Sequence, residues 1–168
     1  MKSDQQIHAA QERLMSVFRR RPEAALSTAH AKATVAQGLT CTVTDGTREV
    51  LADMPAPVGG SELGPTPGFY ARAAISGCVA IGIKMTAVRL GIELKSVTVG
   101  VEMDFDDSAL FGMGGASAAP LKTNINIKLD SDADPEILQR LVEEALEADP
   151  YFLALRDPQN VVTHIELG

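Results

Sequence analysis

The stretch from Pro67 to Leu90 holds only three charged residues, Arg72, Lys84 and Arg89. At about 100° per residue these fall on different sides, so no polar face forms, and a helix that is apolar nearly all round belongs in an interior. The rest of the chain must therefore be arranged around this helix. Pro67 suits its first turn and Gly91 its end. Its small residues, Ala73, Ala74, Ser76, Gly77, Ala80 and Gly82, let a sheet or a second helix come close.

The segments on either side set the class. Residues 4–20 read as an amphipathic helix with a stripe of Ile7, Leu14, Met15 and Phe18 and with capping-box spacing from Ser3 to Gln6. Strand patterns follow at 26–36, 39–44 and 47–52, the last two joined by Asp45-Gly46, a two-residue hairpin signal. In LTCTVT, residues 39–44, Leu39, Cys41 and Val43 point one way and the threonines the other, which turns Cys41 to a core. Residues 54–68 contain four prolines and four glycines and form a shaped loop. Beyond Gly91, residues 96–105 and 123–129 alternate as strands, with a glycine- and alanine-rich loop between them. Asp134-Pro135-Glu136 opens a helix to Ala148, with Ile137, Leu138, Leu141, Val142 and Ala145 as its buried stripe, and Pro150 stops it. VVTHIEL, residues 161–167, reads as a closing strand. The class is α+β, with an antiparallel sheet on a long buried central helix. Residues 1–22 form an N-terminal helical extension and 23–168 the domain.

Composition narrows the partners. A formal net charge of -7 disfavours any partner bound through its phosphates, so nucleic acid is not expected. The basic run Arg19-Arg20-Arg21 sits at a helix end, where cations complement the dipole. No run reaches about 18 apolar residues and the N-terminus lacks a signal-peptide core, so no membrane partner and a cytoplasmic location are expected, with both cysteines reduced. His8, His30 and His164 have no carboxylate or cysteine at metal-ligand spacing, and the glycine-rich VGGSELG and GMGG are not phosphate loops, so neither metal nor cofactor is expected. Asp104, Asp106 and Asp107 read as a solvated turn.

Cys78, in ISGCVAIGIKM, is the residue on which function turns. It has no aromatic, acid or histidine beside it, and reads either as a small core residue or as a reactive thiol. A thiol of ordinary pKa, about 8.5, is only a few per cent ionised at neutral pH, and apolar burial lowers that fraction further. Arg72 and Lys84 are each six residues away, about 9 Å along the helix axis. An activating cation has to come from a strand or from another subunit.

The loop LADMPAPVGGSELGPTPG, followed by AAISGCVAIGIKMTAVRLGIELKSVTVGVE, resembles the OsmC/Ohr family. Asp53-x-Pro55, Gly59-Gly60, Gly64-Pro65-x-Pro67, Cys78 and Ala87-x-Arg89-x-Gly91 all fall in register, and the resemblance extends from about residue 26 to the end. It implies an intertwined homodimer that reduces organic hydroperoxides or hydrogen peroxide with a pair of cysteines. The first becomes a sulfenic acid, the second condenses with it, and a dithiol partner reduces the disulfide. An arginine stabilises the thiolate, and in the hydroperoxidase branch a glutamate holds that arginine.

Cys78 stands at the attacking position. The family's glutamate would follow Pro67, where this chain has Gly68, and its second cysteine would precede Pro150, where this chain has Asp149. Arg48, Arg72 and Arg89 are the candidate thiolate-stabilising residues, unassigned among themselves. Cys41 is a candidate resolving thiol if the two Cα atoms approach within about 7 Å. Two functions follow as expectations: a thiol peroxidase acting through Cys78, or a non-catalytic OsmC-like dimer that binds a small apolar ligand or a protein partner in the cleft below the 54–68 loop.

Overall fold

The computed structural model describes residues 2–168, which fall into two compact units that divide between Ala74 and Ile75. The first unit opens with α1 (Asp4–Arg20), whose N-terminus carries the expected capping box: Ser3 Oγ accepts from the Gln6 N–H and Gln6 Oε1 accepts from the Ser3 N–H. Ile7, Met15 and Phe18 are half-buried, but Leu14 is 52% exposed, so the stripe is narrower than expected.

Strands β1 (Lys32–Val35), β2 (Cys41–Thr44) and β3 (Glu49–Ala52) form an antiparallel meander, shorter at its ends than the pattern suggested. The register pairs Thr44 with Glu49. The Asp45 N–H then donates to the Arg48 carbonyl, which leaves Gly46 and Thr47 at the tip. The turn is thus a two-residue one, displaced by one position, because Asp45 Oδ1 accepts from the N–H groups of Thr47 and Arg48 and acts as the turn's clamp.

The Pro/Gly loop after β3 is held by Asp53, which is 1% exposed. Its Oδ1 accepts from the Met54 N–H, and its Oδ2 from the Leu63 N–H and the Thr40 hydroxyl. Burial works to raise this carboxyl's pKa, but hydrogen bonds from Met54, Leu63, Thr40 and Ser61 outweigh it and hold the pKa below its ordinary value. Two glycines let the loop fold back on itself. A Cβ at Gly60 would stand 1.7 Å from the Met54 carbonyl oxygen, and one at Gly64 2.5 Å from that of Leu51.

Helix α2 (Pro67–Leu90) has the expected bounds, and Gly91, at φ 71°, ends it as the N–H groups of Gly91 and Ile92 turn back to the carbonyls of Val88 and Ala87. Most of α2 lies in the second unit. There β4 (Ser96–Asp104) and β5 (Lys122–Asp130) pair antiparallel along their whole length, from Ser96 opposite Asp130 to Asp104 opposite Lys122. Helix α3 (Pro135–Leu146) begins at Asp134, whose carboxylate accepts from the Glu136 N–H. Val79, Ile83 and Ala87 of α2 pack with Leu94, Leu141 and Ala145, and Val97, Val99, Ile127 and Leu129 of the sheet close over them. Ile83, Val79 and Leu141 are fully buried, each contributing roughly 1.5–3 kcal/mol by leaving water. Lys84 is accommodated by reaching the Leu94 carbonyl, 3.3 Å away.

Four expectations are corrected. Ile137 of the α3 stripe is 46% exposed, because the buried seam runs through Leu141 and Ala145 instead. Pro150 does not merely stop a helix: it is the first residue of a further one, α4 (Pro150–Arg156). VVTHIEL forms no strand; Val161, Val162, Ile165 and Leu167 are 68–92% exposed, and no strand among the described residues offers this segment a ladder partner. Finally, α2 is not covered on all sides. By length and composition it could cross a membrane, with 33% of its most apolar window buried inside the protein, and in the second unit Ile81, Met85 and Leu90 are 61%, 48% and 47% exposed.

The loop geometry makes two predictions. Gly60→Ala forces a backbone clash and lowers stability by about 3 kcal/mol, the upper end of overpacking penalties, whereas Gly46→Ala, with open space around it, costs about 1 kcal/mol for its left-handed backbone; urea unfolding midpoints of the two variants test this order. Because the Asp53 pKa is lower folded than unfolded, its contribution to stability is present above the unfolded carboxylate value and is lost as pH falls through the folded one. Asp53→Asn is therefore expected to flatten the acid limb of the stability profile, and an unchanged limb would show the anchor to be inert.

Candidate functional site

Cys78 lies in the second unit, one helical turn before Gly82 on α2, and is half-buried. Facing this part of the helix is Asp149, which is 3% exposed. Its placement follows from the local sequence. Asp149-Pro150 is a cap followed by a first-turn proline, the same dipeptide that opens α3 as Asp134-Pro135. Asp149 Oδ1 accepts from the N–H groups of Tyr151 (3.0 Å) and Phe152 (2.8 Å), which fixes the plane of the carboxylate. Oδ2 is thereby turned towards α2, 3.5 Å from where a Cβ at Gly82 would stand.

The two oxygens differ in their satisfaction. Oδ1 has two donors; Oδ2 is buried and has no hydrogen-bond partner of ordinary geometry in the protein. The Cys78 thiol is close enough to feel this carboxylate, but the contact is too loose to satisfy Oδ2. Loss of hydration is the largest influence on the thiol and raises its pKa; the Asp149 carboxylate, as acceptor and as negative charge, raises it further, and the Tyr151 N–H opposes them weakly. No cation is among the groups that act on it. Such a thiol is held protonated.

The candidate arginines are placed as follows. Arg48 is at the β2–β3 turn, 3.4 Å from Asp45 with its side chain 83% exposed. Arg72 is in the first unit, its Nη1 3.3 Å from where a Cβ at Gly68 would be. Arg89, in the second, is 2.7 Å from Glu144 of α3. Cys41 is a free, half-buried thiol of the first unit, its sulfur 3.9 Å from the Thr42 carbonyl oxygen. No group of three or more metal-binding side chains occurs among the described residues.

Sequence reasoning placed Asp149 at the second-cysteine position but missed its cap, and with it the fixed direction of Oδ2. The Asp-Pro signal is the same one that marks a helix start at Asp134-Pro135. Gly82 had no signal beyond its size. Arg156 also went unnoticed: it pairs with Glu147 and Asp157 and lies over the Phe152 ring at 5.6 Å, joining α4 to the end of α3.

Comparison with known proteins now adds to this geometry. Residues 59–164, more than half of the chain, match the family described as OsmC-like protein. Solved structures of the same kind share the fold. An OsmC-like protein from Mycoplasma pneumoniae is 11% identical, with a TM-score of 0.66 over 77% of this chain and 88% of that one. An organic hydroperoxide resistance protein from Legionella pneumophila is 25% identical, with a TM-score of 0.53 over 79% and 91%. The organic hydroperoxide resistance protein OhrB of Bacillus subtilis is likewise 25% identical, with a TM-score of 0.53 over 79% and 93%. A comparison with curated proteins gives no match. With more than half its length matched, this chain belongs to the OsmC-like protein family.

Proposed function

We propose that this protein is a one-cysteine member of its family, in which Cys78 reduces hydroperoxides and an external thiol completes the cycle. The observation that carries this reading is the position of Asp149: the residue preceding Pro150 faces the attacking cysteine's turn of α2, and it is a carboxylate that cannot form a disulfide. The Cys78 sulfur attacks one peroxide oxygen, the O–O bond breaks, and the alcohol leaves with a proton, giving Cys78 sulfenic acid. An external thiol attacks that sulfur and releases water; a second releases Cys78 as the thiol and leaves an external disulfide. Of the candidate cations, none is assigned to this step.

The raised thiol pKa sets the pace. Each unit of elevation removes about nine tenths of the thiolate at neutral pH, so turnover is slow beside that of a two-cysteine enzyme. Consumption of cumene hydroperoxide with excess small thiol is expected to be abolished in Cys78→Ser, and persistence of the wild-type rate in that variant would reject the reading. Alkylation of Cys78 by iodoacetamide is expected to climb about tenfold per pH unit between about pH 7 and about pH 9; a plateau already reached at neutral pH would mean that an unrecognised cation activates the thiol.

We also propose a cytoplasmic homodimer. Ile81 and Met85, exposed one turn apart on α2, support it, because a second copy would take them from water. Light scattering should give twice the 17.8 kDa chain mass. Ile81→Glu should shift it towards a single chain, and a single-chain mass for the unaltered protein would remove the dimer.

A second, non-catalytic reading is supported at a different place from the cleft expected below the 54–68 loop: an open apolar groove of about 440 Å³ between β5 and α3, lined by Ile127, Leu129, Leu138 and Val142. Binding of an apolar ligand there, weakened by Leu138→Asp and indifferent to Cys78→Ser, is the result that favours it.

A further inference from the structure

The buried Oδ2 of Asp149 has no hydrogen-bond partner of ordinary geometry, and the side chain that interacts with this carboxylate is the weakly donating Cys78 thiol. The sister oxygen, Oδ1, is fully engaged, so the carboxylate cannot rotate to share its donors. The missing side chain of Gly82 leaves Oδ2 room on the α2 side, and the Cys78 thiol, one turn before Gly82, is near enough to interact with this carboxylate. One oxygen atom bonded to that sulfur, carrying a proton, would supply what Oδ2 lacks.

We propose that Asp149 is a retaining residue for the oxidised state: its Oδ2 accepts the O–H of Cys78 sulfenic acid and keeps that acid neutral. This deepens the one-cysteine reading and rests on it. Over-oxidation requires the sulfenate anion: its sulfur attacks a second hydroperoxide, the O–O bond breaks, one oxygen stays on sulfur to give the sulfinate anion, and the other leaves with the hydroperoxide proton as an alcohol or water. A carboxylate that accepts from the sulfenic O–H stabilises the neutral form, and its charge opposes a second negative charge beside it. The same group that slows the first oxidation thus arrests the second. In a two-cysteine enzyme the second sulfur removes the sulfenic acid by condensation; here a carboxylate stores it until an external thiol arrives.

The test uses the full chain carrying Cys41→Ser, so that only Cys78 is oxidised, alone and combined with Asp149→Asn or Asp149→Ser. Both replacements keep a side-chain oxygen for the Tyr151 and Phe152 N–H groups, and a melting curve confirms that each variant folds. Hydrogen peroxide is added in steps, with and without dimedone, and intact mass counts the oxygens on Cys78. Millimolar peroxide oxidises an ordinary protein thiol without any enzymatic assistance, so the measurement does not depend on turnover. With Asp149 present, a dimedone-trappable product with one added oxygen is expected to persist. In both variants, conversion of that product to the two-oxygen form is expected to be about tenfold faster, the effect of one unit in the sulfenic acid pKa. Equal conversion in all three proteins overturns the proposal, as does failure to trap any one-oxygen product at Cys78. Hydroperoxide turnover is followed separately: persistent sulfenic acid without turnover sinks the catalytic reading alone, and turnover with equal over-oxidation sinks only the role of Asp149.

Discussion

The contact on which the site depends is the cap that Asp149 makes on α4. A carboxylate has two oxygens and one plane, and engaging Oδ1 with the N–H groups of Tyr151 and Phe152 settles where Oδ2 points. Helix α4 is only seven residues long, and its exposed ion pairs through Arg156 add little. The orientation of the acid therefore comes chiefly from short, charge-assisted bonds to backbone donors, while Pro150 presets the first helical residue. The Cys78 thiol receives its electrostatic environment from a group that is first of all a structural element.

The protein contains a useful control for this argument. Asp53 is buried as deeply as Asp149, yet both of its oxygens are engaged, by Met54, Leu63 and Thr40, and its pKa is lowered as a consequence. It is an anchor, and its chemistry is spent on the loop. Asp149 is engaged on one side only. Two aspartates of equal burial are separated by how many acceptor sites each has left over, and the one with a remainder lies beside the cysteine.

Much of the architecture was legible because periodicity and turn chemistry agreed. Pro67 and Gly91 bracketed α2, and alternation over 96–105 and 123–129 identified the longest strands, which run Ser96–Asp104 and Lys122–Asp130. The failures have physical causes. Proline reads as a stop or as a start, and at Pro150 the preceding aspartate decides between them. The tail at Val161 to Leu167 alternates like a strand, but alternation states which residues share a face and says nothing of whether a neighbour exists to pair with. Cys78 stood out in the sequence as a lone thiol in an apolar run; the orientation of the acid beside it was not legible, since it depends on a cap and on the missing Cβ of Gly82.

The position of Cys78 on α2 follows from how this helix divides between core and open side. Val79 and Ile83 face the interior, whereas Ile81 and Met85, three and seven residues after Cys78, remain exposed. Cys78 stands on the border between these stripes, with Gly82 leading from it towards Asp149 and Ile81 leading towards the open side. A thiol fully inside the core would be inaccessible to a hydroperoxide, and one on the open stripe would escape the carboxylate. The flanking position leaves the thiol half-buried while a buried acid acts on its proton, so the lack of a polar face that marks this helix in the sequence also gives the sulfur an apolar border on the open side.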